Sequence, residues 1–189
     1  MTKTNWTAWI AHAHGLDDAA WARHANPWSG WTRLPIAPLL ILAIWSRIWI
    51  GAWCLVPVAL LLLWTAINPY AFPAPRDTTS WMSRAVFGER VFLARDRRPI
   101  PAQHRAWANG LTLAALPGVA LCIWGVAALE PWPALFGLTV AMAAKLWFLD
   151  RMVWLYEDMA AVHPDYAAWR HGGAREEVTG TSSGPISTP

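Results

Sequence analysis

From Leu34 to Ile67 the chain runs through 34 residues that carry a single charge, Arg47, with Gly51 close behind it. A soluble domain of this size has no core large enough to hide such a run. A helix rises ~1.5 Å per residue and crosses ~30 Å of hydrocarbon in about 20 residues, so the run is long enough for two crossings with a tight turn near Gly51. The chain is therefore read as all-α and membrane-integral before any motif is considered. Its 189 residues allow one membrane domain with modest tails, and only 14% are charged, against about 25% in ordinary soluble domains.

The positions of the sixteen tryptophans follow the same logic. Trp28 and Trp31 precede the first apolar stretch, Trp45, Trp49 and Trp53 surround its turn, and Trp64 lies near its end. Trp107 and Trp124 bracket a third stretch, and Trp132 and Trp147 bracket a fourth. Indole is flat and apolar with one N–H donor, so it settles where hydrocarbon meets water. An aromatic ligand box, the competing reading, would need several tryptophans gathered at one depth in one place.

Four helices are expected, at about 27–49, 51–67, 108–129 and 131–162, packed as a four-helix bundle within a domain spanning 26–162. Asn26-Pro27 suits a helix start, because Asn can cap free N–H groups and Pro needs no donor at the first position. Pro35, Pro38, Pro57 and Pro117 predict bends, and Asn68-Pro69 predicts a stop. Residues 1–25 read as a segment with a short surface helix around Asp17 to Arg23. Residues 163–189 read as a tail, disordered from Gly172 by its Gly/Ser/Thr/Pro composition. The first 33 residues hold no apolar core behind a basic start, so no cleavable signal peptide is expected.

The stretch from Asn68 to Trp107 carries Arg76, Arg84, Arg90, Arg95, Arg97, Arg98 and Arg105 against Asp77, Glu89 and Asp96. The other two loops offer only Arg47 and Glu130. Positive charge in short loops marks the cytoplasmic side, which places this basic loop and both termini inside the cell membrane. The loop is expected to lie on anionic lipid headgroups, with amphipathic terminal helices beside it and nucleic acid excluded as a partner.

Polar residues near the crossings are the candidates for chemistry. On helix 4, Asp150, Glu157 and Asp158 share a face that emerges at the charged surface, with Arg151 beside them and Lys145 opposite. They could clamp the arginine loop by ion pairing, or form a headgroup or metal site with it. Asn26 and Asn68, each followed by an arginine (Arg33 and Arg76), flank the first two helices on one side, and Glu89 lies in the loop. Arg47 and Glu130 form an expected ion pair across the outer face. The histidines suit metal poorly: none falls within a crossing, and a surface site from His12, His14 and His24 has no recognised ligand spacing. No cofactor is expected. Cys54 and Cys122 both fall inside apolar stretches, where they read as small core residues.

Five segments together resemble a family of uncharacterised bacterial and haloarchaeal membrane proteins classed as a domain of unknown function. They are His24–Arg33, Trp45–Gly51, Asn68-Pro69, Gly88–Val91 and Leu146–Asp158. The resemblance covers roughly residues 24–169; it implies a small multi-span protein and transfers no activity. Glu157-Asp158, followed by Tyr166 and Trp169, also looks like the end of membrane-embedded lipid and isoprenylcysteine methyltransferases, where a Glu-Glu pair precedes a Tyr-x-x-Tyr. Here the second acid is Asp, the spacing is shorter by about two residues, and Trp169 replaces a tyrosine. Three function classes remain: a non-enzymatic accessory or lipid-interacting membrane protein, with a membrane-protein partner; an enzyme acting on a lipid or quinone headgroup; and a small transporter. The absence of a catalytic motif favours the first, and the absence of an ionisable residue at mid-bilayer depth weighs against the third.

Overall fold

The computed structural model describes residues 18–170, and all regular structure among them is helical. In chain order the helices are α1 (Asp18–His24), α2 (Pro27–Trp31), α3 (Ile36–Trp45), α4 (Arg47–Ile50), a 3-10 turn (Gly51–Cys54), α5 (Leu55–Ala71), α6 (Trp81–Leu93), α7 (Ala102–Ala128), α8 (Pro131–Val162) and α9 (Pro164–Ala167). Three stretches are long and apolar enough to cross a membrane: Pro27–Ala71, Ala102–Ala128 and Pro131–Val162. The tail from Gly172 and the pair His12 and His14 lie outside the described residues.

The first stretch doubles back on itself. Asn26 caps α2 by accepting the Trp28 N–H at 3.0 Å, and Pro27 occupies the position that needs no donor. The single helix expected over 27–49 is instead three pieces. Thr32 donates its hydroxyl back to Trp28 O at 2.7 Å as α2 ends, and α3 restarts only after Pro35. Ser46 donates to Ala43 O at 2.6 Å at the second break. Gly51 then takes φ +55° and ψ −133°, a backbone region closed to side-chain-bearing residues, and the chain reverses into α5.

The stop expected at Asn68-Pro69 is overridden, and α5 continues to Ala71. Asn68 is wholly buried and finds tertiary partners, so packing outweighs the local preference. Pro57 falls in the first turn of α5, where its missing N–H has no intrahelical acceptor in any case.

The basic loop expected over 68–107 is largely helical as well. Ser80 caps α6 by accepting the Ser83 N–H at 3.1 Å, and α6 buries Met82, Ala85, Val86, Phe87, Gly88 and Val91. Helix α7 begins at Ala102 rather than near 108, directly after Pro101.

Long helices in this chain touch backbone to backbone. A Cβ placed on Gly137 of α8 would lie 2.4 Å from Cys122 N, and one on Gly125 of α7 would lie 2.4 Å from Ala134 N. These small residues let α7 and α8 pack along their length. A Cβ on Gly88 of α6 would lie 1.9 Å from Met152 O of α8. Around that crossing, Val86, Phe87 and Val91 pack with Met152, Leu155, Tyr156, Met159, Ala108 and Tyr166. The main core therefore sits at one end, the polar end, where α1, α6, α9 and the charged half of α8 meet. The Gly51 and Glu130 turns share the opposite end, joined by Trp45 Nε1 donating to Val126 O at 3.2 Å. Between the ends, α3 and α5 pack on each other, yet only 6% of the most apolar window of this stretch is buried against protein.

Candidate functional site

The charged half of α8 carries the candidate carboxylates, and each meets a cation or donor. Glu157 accepts Arg84 Nη1 of α6 at 3.1 Å and also accepts Arg170, just beyond α9. The hydrogen bond to Glu157 holds the Arg170 guanidinium above its ordinary range. Asp158 Oδ2 lies 2.7 Å from His104 Nε2 of α7. Asp150 accepts Arg151 Nη2 at 2.7 Å and the Trp81 indole N–H of α6 at 3.4 Å. Lys145, on the opposite face, donates to Glu89 of α6 at 2.8 Å. Arg90 pairs with Asp18 and Arg98 with Asp165, the latter at 3.1 Å. These contacts tie α1, α6, α7 and the segments around α9 to each other or to α8.

A second polar cluster closes the first hairpin. Ser29, fully buried, donates to Asn68 Oδ1 at 2.8 Å and lies 3.3 Å from His24 Nδ1. Asn68 Nδ2 donates to Thr32 Oγ1 at 2.9 Å, and Arg33 Nε donates to Ser29 O at 3.1 Å. Asn68 and Arg33 thus meet through Ser29. Asn26 turns away to donate to Pro73 O at 3.0 Å, and Arg76 is exposed. The serine and histidine are buried, and their contact joins α1 to α2.

The expected Arg47–Glu130 ion pair does not form. Arg47 Nη2 donates to Val126 O and Ala127 O, each at 3.2 Å. Those carbonyls belong to the last turn of α7, where the helix leaves acceptors unpaired and its dipole is negative, so the guanidinium finds a partner without a carboxylate.

Sequence reasoning missed His24, Ser29 and His104 as buried polar groups. His104 had a readable signal: with Ala108 and Leu111 it follows the spacing of one helix face, visible once α7 is started at Ala102. His24 and Ser29 had none, because their burial depends on α5 returning beside them. Among the described residues no three His, Cys, Asp or Glu side chains gather so as to hold a metal ion, and Cys54 and Cys122 are free thiols.

A shallow hollow, lined by Glu157, Ala160, Ala161, Ala167 and Arg170, opens beside the Glu157 cluster. The chain matches, over residues 6–174, the family described as "Family of unknown function (DUF6653)". It belongs to that family. No curated protein and no solved structure matches it. In this DUF6653 chain the two aromatic residues of the methyltransferase-like ending, Tyr166 and Trp169, pack against each other. Tyr166 is buried, its ring 4.9 Å from that of Trp169, and its carbonyl accepts the Tyr156 hydroxyl at 3.1 Å.

Proposed function

We propose that this chain is a multi-pass integral membrane protein of four crossings, arranged as two hairpins, with its polar end and both termini at the cytoplasmic face. Its role is that of a non-enzymatic accessory protein in contact with lipid. One observation carries this: the acids a catalyst would keep available are tied across elements, Glu157 to Arg84 and Arg170, Asp158 to His104, and Glu89 to Lys145. Such pairs dock the polar-end helices onto α8. Exposed Arg76, Arg97 and Arg105 supply positive charge for anionic headgroups at the same end.

Single-cysteine variants in a C54S/C122S background test the topology. Ile50→Cys and Glu130→Cys should react with an impermeant maleimide from outside intact cells, and Arg97→Cys only after permeabilisation. Labelling of positions 50 and 97 from the same side refutes the arrangement. The double substitution Glu157→Gln/Asp158→Asn tests the role. It should lower the unfolding midpoint clearly in detergent; an unchanged midpoint would return these acids to the list of catalytic candidates.

A further inference from the structure

We propose that the face of the polar end formed by Trp107, Trp147, Arg151 and Trp154 binds the headgroup of a zwitterionic phospholipid. Its phosphate would sit on Arg151 and its ammonium beside Trp154 and Asp158. This rests on the membrane reading above.

Trp107 of α7 and Trp147 of α8 have ring centroids 5.5 Å apart. The Arg151 guanidinium lies 6.0 Å from the Trp107 ring centroid and 5.6 Å from that of Trp154. Positions 147, 151 and 154 form one stripe of α8, since residues three and four apart are neighbours on a helix. All three indoles are about half exposed. Interface belts explain a tryptophan at this depth. They do not explain two of them, from two helices, against one guanidinium, with a third stacked on the first.

The cluster is electrostatically neutral and unsaturated. Asp150 takes one donor of a group that has five, and the Arg151 side chain keeps 27% of its surface open. Because Asp150 cancels the charge of Arg151, a purely anionic headgroup gains little net attraction. A headgroup carrying both signs fits better: guanidinium takes phosphate through paired N–H donors, and indole faces attract an ammonium. The order of side chains along α8 matches that of a lipid standing normal to a bilayer. Trp147 lies at the apolar level, Arg151 follows, then Trp154, then Asp158, whose half-exposed carboxylate meets His104 through Oδ2 and keeps Oδ1 for the ammonium. From Arg151 to Asp158 the helix rises ~10 Å, a span able to hold a phosphate and the amine beyond it.

The test is native mass spectrometry of the full chain released from nanodiscs of equimolar phosphatidylethanolamine and phosphatidylglycerol. One phosphatidylethanolamine should be retained at least fivefold over phosphatidylglycerol. Arg151→Gln and Trp107→Leu should each reduce that retention about tenfold, and Trp132→Leu, at the opposite end, should leave it unchanged. Trp107→Leu keeps the Asp150–Arg151 pair, so its result stands even if Arg151→Gln misfolds. Equal retention of the two lipids, or retention untouched by Trp107→Leu, overturns the site while the membrane reading stands. A chain that fails to enter nanodiscs overturns the membrane reading and this site with it.

Discussion

Replacing Gly88 by alanine adds one methyl group at the point where α6 crosses α8. That Cβ would lie 1.9 Å from Met152 O, 2.4 Å from Met152 C and 2.9 Å from Met152 Cα, so the obstacle is backbone and has no rotamer to change. Carbon and carbonyl oxygen settle no closer than ~3.3 Å, which obliges the two helices to part by about 1.4 Å at the crossing. A gap of that size forfeits much of the dispersion contact of Val86, Val91, Met152 and Leu155. Together with the strain of overpacking, the cost is about 3 kcal/mol, even after the gain of ~1 kcal/mol that alanine brings to a helix interior. Gly110 of α7 is the matched control, since nothing lies within 4 Å of its Cβ position. Gly110→Ala should be neutral or stabilise by up to ~1 kcal/mol. The two variants thus carry the same chemical change and differ by about 3 to 4 kcal/mol. Reversible unfolding in mixed micelles, followed by tryptophan fluorescence, reads the difference. If Gly88→Ala unfolds within about 0.5 kcal/mol of the parent, α6 is not seated on α8 and the account of the polar-end core fails.

Three further outcomes follow from the contacts. Gly137→Leu should drive α7 and α8 apart at Cys122 and abolish a stable monomeric fold in detergent, whereas a well-folded Gly137→Leu would show that the two helices pack on another face. Asn68→Leu leaves the buried Ser29 hydroxyl only its longer contact with His24 and removes the bond to Thr32, and should cost about 2 kcal/mol in the same unfolding assay; a neutral result would remove the polar lock on the first hairpin. Arg84→Gln and Glu157→Gln, combined in a double-mutant cycle, should couple by about 1 kcal/mol at low salt, because both side chains are one-third exposed and partly screened; coupling that persists in 1 M salt would contradict this.

The apolar stretches were legible because a long charge-free run constrains a helix by itself. Helix α6 was not. Its buried Met82, Ala85 and Val86 share one helical face and Phe87 and Val91 lie on another, but the arginines interleaved with them read as a loop under a topology rule that counts charge and ignores phase. The same arginines have specific partners, Arg84 on Glu157 and Arg90 on Asp18, and neither partner is near in sequence. The Asn68-Pro69 stop failed for a related reason. A local breaker is decisive only when nothing distant satisfies the groups it disturbs, and Ser29 and Thr32 do so here.

For the polar residues, sequence could assign depth but not company. Asp150, Glu157 and Asp158 were placed on one face of α8 at the membrane boundary, yet what each meets depends on helices whose starts were misjudged. His104 reaches Asp158 only because α7 begins at Ala102, and Trp81 reaches Asp150 only because α6 exists. Arg47 shows the converse: a guanidinium near a lone acid, Glu130, takes backbone carbonyls at the end of α7 instead, since a helix terminus presents several acceptors at fixed positions. The tryptophans near Arg151 follow the same rule. Each one alone is explained by where water meets hydrocarbon, and only the approach of α7 to α8 turns depth into a shared surface. A family whose members conserve interface depth alone would tolerate tyrosine or phenylalanine at these positions; one that recognises a headgroup needs the guanidinium and the facing indoles in register.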